Sequence, residues 1–185
     1  DGAGTLVALN ELFGKKLDAE ALCAVGDKIG ADVPICIKGG TLYSITSGDM
    51  IAAECDTNCV FVCIYPDFTL STAEAYAKYD ENPTEINPHY ADFVSSIVCG
   101  SLSEGAGFIS NVFTKIYHDS RIEEMKTDLL ESGAVISEMT GSGSVVFGVF
   151  ESEETAVDAK NILSGKYPHV FMTRPVNSGV YVVER

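Results

Sequence analysis

Met139-Thr140-Gly141-Ser142-Gly143-Ser144 stands between two apolar, strand-like runs, a small and donor-rich loop in greasy surroundings. Alternating glycine and serine lets the backbone take up positive φ and turn several N–H groups toward one point, the arrangement of an anion-holding nest. The guest that suits such a nest is a phosphate. No Lys-Ser/Thr pair follows at the spacing of a Walker A loop, and the third glycine of a dinucleotide fingerprint is missing. Taken alone, the segment also reads as a hairpin turn, because glycine and serine are common turn residues for conformational reasons.

Asp32, in Gly30-Ala31-Asp32-Val33-Pro34, is the second residue with chemistry in it. A carboxylate held near a substrate hydroxyl can accept its proton or orient it for attack on phosphorus. The same aspartate equally suits a turn in which its side chain bonds a local backbone N–H. Lys38 could reach an anion beside it, or serve as a solvated residue at a strand end. His89, His118 and His169 are scattered with no nucleophile motif beside them, and Glu123-Glu124 and Glu153-Glu154 read as helix-surface or first-turn acids.

Whatever carries such residues is a globular chain: 185 residues, 46% hydrophobic and 21% charged, have room for one good core or two small ones. Twelve Lys and Arg against 27 Asp and Glu leave a net charge of −15, which opposes general attraction to nucleic acid or to anionic membranes. Any phosphate must therefore be held by local donors, backbone N–H groups above all. The six cysteines form no Cys-x-x-Cys pair and have no histidine at zinc-finger spacing, so metal binding by them is not expected. With no secretory or long apolar run, the reading is a cytoplasmic protein with reduced thiols. The chain opens on Asp1 and enters a helix pattern at once, which reads as part of a longer polypeptide.

The positioning elements follow from periodicity and punctuation. Leu6, Leu9 and Phe13 repeat at helical spacing before Gly14; Asp18 caps a second helix with a Leu22, Val25, Ile29 stripe. Ile35–Ile37, Thr41–Ile45 and Met50–Ala53 read as short strands, with Ser47-Gly48-Asp49 as a turn. The pattern starts afresh at Val60–Tyr65, an apolar run that reads as a buried strand. Ser71-Thr72-Ala73-Glu74 is a capping box opening a helix to about Tyr79. Helical segments follow around 89–100, 107–118 and 121–132, then strands at Val135–Met139 and Val145–Phe150 around the glycine loop. Ser152 caps a last helix, followed by strands around Val170–Thr173 and Val180–Val183.

Without the inserted helices, residues 60–173 read strand, helix, strand, strand, helix, strand, the split βαβ, ferredoxin-like plan with helices on one face of an antiparallel sheet. The fold class is α+β. Residues 57–185 form this domain, and residues 1–56 the tail end of a preceding α/β domain.

Four segments taken together, Gly30-Ala31-Asp32-Val33-Pro34-Ile35-Cys36, Gly39-Gly40-Thr41, Ser71-Thr72-Ala73-Glu74-Ala75-Tyr76 and Met139 to Phe147, resemble the GHMP kinase superfamily. Within it they are most similar to the members that phosphorylate a methylerythritol nucleotide. The resemblance spans nearly the whole chain. It implies ATP as phosphoryl donor, Mg2+, and a small-molecule cytidine diphosphate acceptor. By the same resemblance Asp32 matches the catalytic aspartate, and Gly141, Ser142, Gly143 and Ser144 match the motif near the phosphates. Tyr76 matches an aromatic position that stacks on cytosine, with Thr72 in the same substrate-facing turn, and Asp1 matches the end of the ATP phosphate loop. Most of that loop, the catalytic lysine and part of the cytidine pocket would lie in an upstream segment, so the resemblance implies that this chain alone is inactive. Gly2 and Gly4 stand where the family prefers alanine, at roughly 1 kcal/mol each in helix propensity. Ser47-Gly48-Asp49 replaces a more glutamate-rich turn.

The reading is thus the C-terminal part of an ATP-dependent small-molecule kinase. Another GHMP kinase, acting on mevalonate, homoserine or a sugar, and a non-catalytic ferredoxin-like module are the alternatives.

Overall fold

The computed structural model describes residues 1–44, 51–53, 58–81, 83, 90–98 and 102–183. They fall into two units, Asp1–Cys55 with Pro175–Arg185, and Asp56–Arg174. The first holds helices α1 (Gly2–Leu12), α2 (Ala19–Asp27) and α3 (Val33–Lys38), then a ribbon in which β1 (Leu42–Tyr43) pairs antiparallel with β2 (Ile51–Ala52). Asp18 caps α2 as expected, its side chain accepting from the Ala21 amide at 2.9 Å. The buried faces differ from the expected stripes: Ala3, Leu22, Cys23 and Ile37 form the core, with Leu6, Val7 and Val33 against it, while Leu9, Phe13, Val25 and Ile29 are exposed.

Ile35–Ile37, expected as a strand, lies inside α3. A short apolar run does not distinguish a strand from a buried helix turn by periodicity. The flanking residues decide it, with Pro34 in the first turn and Gly39 closing the helix at φ 73°. The last eleven residues, expected in the second domain, belong to the first unit instead. Backbone bonds run from Gly40 N to Val176 O, Gly179 N to Lys38 O and Val180 N to Cys36 O. A Cβ on Gly179 would stand 2.2 Å from Ile37 O, so only glycine allows the two backbones to approach this closely. Val180–Val183, expected as a strand, runs beside α3 without strand pairing. The Ser47-Gly48-Asp49 turn and His89 lie outside the described residues.

The second unit opens with β3 (Val60–Tyr65) and α4 (Thr72–Glu81), continues through α5 (Tyr90–Val98), α6 (Leu102–Gly105) and a single 3-10 turn, and enters α7 (Val112–Tyr117) and α8 (Ser120–Glu131). The hairpin β4 (Ile136–Met139) and β5 (Val146–Phe150), α9 (Glu153–Leu163) and β6 (His169–Thr173) complete it. The sheet order is β4-β5-β3-β6, every neighbouring pair antiparallel. Val62 lies opposite Gly148 on one side and Met172 on the other.

Side chains alternate across β3, so Val60, Val62 and Ile64 share one face of the sheet. Against that face α8 lays Ile122, Met125 and Leu129, and α9 lays Ala156, Ala159 and Leu163. Burying each of the larger of these is worth about 1.5–3 kcal/mol. The opposite face is covered too, contrary to a sheet clad on one side only. Phe61, Ile136, Phe147 and Val149 pack there with Phe93, Leu102, Ala106 and Ile109 from the α5–α6 stretch.

Candidate functional site

The hairpin register places Met139 opposite Val146, which leaves Thr140–Val145 as the connecting loop. Thr140 N donates to Val145 O at 2.9 Å and Gly143 N to Thr140 O at 3.1 Å. The N–H groups of Gly141, Ser142 and Ser144 have no acceptor among the described residues. Gly141 and Gly143 sit at φ 57° and 90°, the left-handed region the sequence predicts for a nest. Four side chains brace the loop. Asn111 Nδ2 donates to Met139 O and to Gly141 O, each at 2.8 Å. Ser144 Oγ donates to Phe68 O at 2.7 Å, and the hydroxyls of Ser142 and Thr72 bond each other at 2.7 Å.

Thr72 opens α4, and half of the expected capping box forms: Ser71 Oγ accepts from Glu74 N at 3.3 Å, while the Glu74 carboxylate pairs with Lys78 at 3.1 Å. The Tyr117 hydroxyl donates to Ser71 O at 2.9 Å. Burial, with the nearby Glu74 carboxylate, pushes the Tyr117 phenol above its ordinary pKa. The Arg121 guanidinium lies 3.7 Å from the centre of the Phe68 ring, and its bonds to Asp119 hold that carboxyl below the usual range. Tyr76, one turn along α4 from Thr72, is 56% exposed. It meets Phe113 of α7 edge-on, ring centres 5.1 Å apart. Ala75, not Tyr76, is the buried residue of this helix. The second unit therefore gathers Thr72, Ser142, Ser144 and the Gly141–Gly143 turn into one place, with Tyr76 on the adjoining helix.

Asp32 and Asp1 belong to the first unit. Asp32 is the residue before α3, exposed, making no cap bond and having no side-chain partner among the described residues. The turn expectation required a bond to a local N–H, and that bond is not made. Asp1 precedes α1 and likewise makes no side-chain cap bond. Lys38 is paired with Glu20 at 3.2 Å, at a helix end rather than a strand end.

Among the described residues no group of three or more His, Cys, Asp or Glu side chains could hold a metal ion. His118 closes α7 in the left-handed region, and His169 lies on β6 with its ring 6.2 Å from that of Tyr65. Cys59 and Cys63 are buried, and burial pushes Cys63 above its ordinary pKa, away from a nucleophilic role. No helix among the described residues is long and apolar enough to cross a membrane.

Sequence reasoning missed Asn111 and Glu138. Asn111 fell inside a helical segment read as 107–118, which the structure breaks just there: Asn111 caps α7, its Oδ1 accepting from Phe113 N at 2.8 Å. Asparagine is a cap residue, and that was the available signal. Glu138 is 8% exposed, accepts at Oε1 from Thr114 Oγ1 and Met139 N (both 2.8 Å), and pairs at Oε2 with Lys126 at 3.4 Å.

Residues 116–169 match the model of the family described as GHMP kinases C terminal. A 4-diphosphocytidyl-2-C-methyl-D-erythritol kinase of Caldanaerobacter subterraneus subsp. tengcongensis is 32% identical over 185 residues, which cover 99% of this chain and 64% of that protein. The chain thus spans about two thirds of the length of the curated relatives it matches. A solved 4-(cytidine 5'-diphospho)-2C-methyl-D-erythritol kinase superposes with a TM-score of 0.73 at 19% identity, over 92% of this chain and 61% of that one. The homoserine kinase of Cytophaga hutchinsonii has the same score and identity, over 92% and 62%, so backbone likeness does not separate the two. With the glycine loop inside the matched stretch and likeness to the methylerythritol kinase along nearly the whole sequence, the chain belongs to the GHMP kinase superfamily.

Proposed function

We propose that the chain is the C-terminal part of an enzyme that transfers the γ-phosphoryl group of ATP to the 2-hydroxyl of 4-diphosphocytidyl-2-C-methyl-D-erythritol. The observation that carries this is the 32% identity over 99% of the chain with a protein of that name. The braced glycine loop with its three unclaimed amides supports it. The sheet order, second-third-first-fourth in chain order, supports the ferredoxin-like reading of the second unit. The first unit then reads as the tail of an N-terminal ATP-binding domain ending near residue 56, and the whole as a cytosolic enzyme.

In this reading the acceptor oxygen forms a bond to the γ-phosphorus as the bond to the β,γ-bridging oxygen breaks, ADP departs, and the hydroxyl proton passes to the Asp32 carboxylate. Gly141, Ser142 and Ser144 present backbone donors to phosphate oxygens, which suits a chain whose net charge of −15 offers no general attraction for them. Asp1 ends the ATP phosphate loop. Thr72 contacts the acceptor beside Ser142, and Tyr76 stacks on its cytosine.

The test joins the chain to the remaining third of the Caldanaerobacter kinase. Asp32→Asn then lowers turnover by at least about 10²-fold; a variant with near wild-type turnover removes Asp32 from the chemistry. Tyr76→Ala weakens the cytidine substrate by about 1–3 kcal/mol and leaves ATP affinity unchanged. Equal losses for both ligands, together with a lower melting temperature, would instead make Tyr76 a packing residue against Phe113.

A further inference from the structure

We infer that Asn111 is a positioning residue that aims the glycine loop, an inference resting on the phosphate-holding reading of that loop. Its side chain does two jobs with two atoms. Oδ1 caps α7 through Phe113 N, and Nδ2 reaches across to Met139 O and Gly141 O. The peptide joining Gly141 to Ser142 is trans, so its carbonyl and N–H point in opposite directions. Holding Gly141 O on Asn111 therefore turns Ser142 N–H away from α7, to a side where it meets no acceptor among the described residues.

Helix α7 grips the loop a second time at its root. Thr114 Oγ1 donates to Glu138 Oε1, which also accepts from Met139 N. The same short helix carries Phe113 against the Tyr76 ring and Tyr117 onto Ser71 O at the start of α4. One element thus sets the spacing between the anion loop and the exposed ring of Tyr76, with Asn111 as the member that touches the loop itself. Asn111 acts through the loop amides and touches no substrate.

Asn111→Ser separates the two jobs, because serine retains a capping oxygen and is too short to reach Met139 O and Gly141 O. The experiment is 15N relaxation of the wild-type chain and of the variant, followed by titration with inorganic pyrophosphate. We expect the order parameters of Gly141 and Ser142 to fall from about 0.85 to below about 0.6 in the variant, with the Phe113 amide still protected. Pyrophosphate should shift the Ser142 amide of the wild type and bind the variant about tenfold more weakly, the worth of one such hydrogen bond with ordering lost. An unchanged loop order in Asn111→Ser, or equal pyrophosphate affinity with a loosened loop, overturns the inference. If the loop loosens but pyrophosphate leaves the wild-type amides unmoved, Asn111 stands as the residue ordering the loop and the phosphate reading falls. Asn111→Asp, which also caps but cannot donate, must reproduce the loosening; a rigid loop in it counts against the role.

Discussion

Val62, Ile64, Leu129, Val146 and Phe150 of the second unit are 0% exposed, whereas in the first unit the best-buried apolar residue among those described is Ala3 at 4%, and Leu12 stands 78% exposed. Four strands and two helices close over the one core, while three short helices share the other. Because removing apolar surface from water is the main favourable term in folding, the two units draw very different stabilisation from it. The glycine loop is built on the well-buried unit and Asp32 on the thin one. The loop is held by side chains from α7 and from the start of α4, and the aspartate carboxylate has no partner among the described residues. Local opening follows burial, so the loop rests on the slower-exchanging part of the molecule.

The largest expected effect is at Leu129, whose truncation to alanine leaves a cavity under the sheet and costs the second unit about 2–5 kcal/mol. Denaturation followed by probes in each unit checks it, and an equal cost for Leu22→Ala in the first unit would break the contrast. Gly143→Ala comes next. Its φ of 90° carries the left-handed strain of about 1–2 kcal/mol, and its Cβ would stand 2.6 Å from Met139 Sδ and 2.8 Å from Leu70 Cδ1. Gly141→Ala carries the strain alone, since nothing lies within 4 Å of that Cβ. A melting curve for Gly141→Ala as low as that for Gly143→Ala would show that the clash is relieved by the flexible methionine.

Asp119, which caps α8, sharpens the comparison through pH. Its carboxylate accepts from Arg121 N at 2.9 Å and from the guanidinium at 3.0 and 2.6 Å, which holds its pKa below the ordinary value of about 3.9. Its contribution is therefore complete above that value and is lost as pH falls through the lower, folded one. Asp119→Asn, which keeps a capping oxygen without the charge, should show a smaller drop in melting temperature between pH 7 and pH 3. Equal acid sensitivity in the two proteins would discard this account. Replacing Asp119 by alanine removes the cap altogether, at about 1 kcal/mol at neutral pH. The smallest effect is at Leu12, where a change to serine stays within about 0.5 kcal/mol. A loss of several kcal/mol there would mean that the exposed face of α1 is covered in solution.

Residue types and short spacings alone determined the caps at Asp18, Ser71 and Ser152, the order of strands from Val60 to Thr173, and the glycine loop between β4 and β5. All of these are interactions within about four residues of chain or a repeat of apolar residues, and so are written locally. The likeness of four separated segments to one superfamily was legible in the same way. Tertiary structure alone decided the rest. Ile35–Ile37 became a turn of helix between Pro34 and Gly39, and the tail past Pro175 returned to α3 through Gly179. The loop's braces lie 28, 30, 70 and 76 residues from their partners. An asparagine is a cap by its type, but that its free amide meets two carbonyls of a distant hairpin depends on the packing of α7 beside β4, which no local preference encodes.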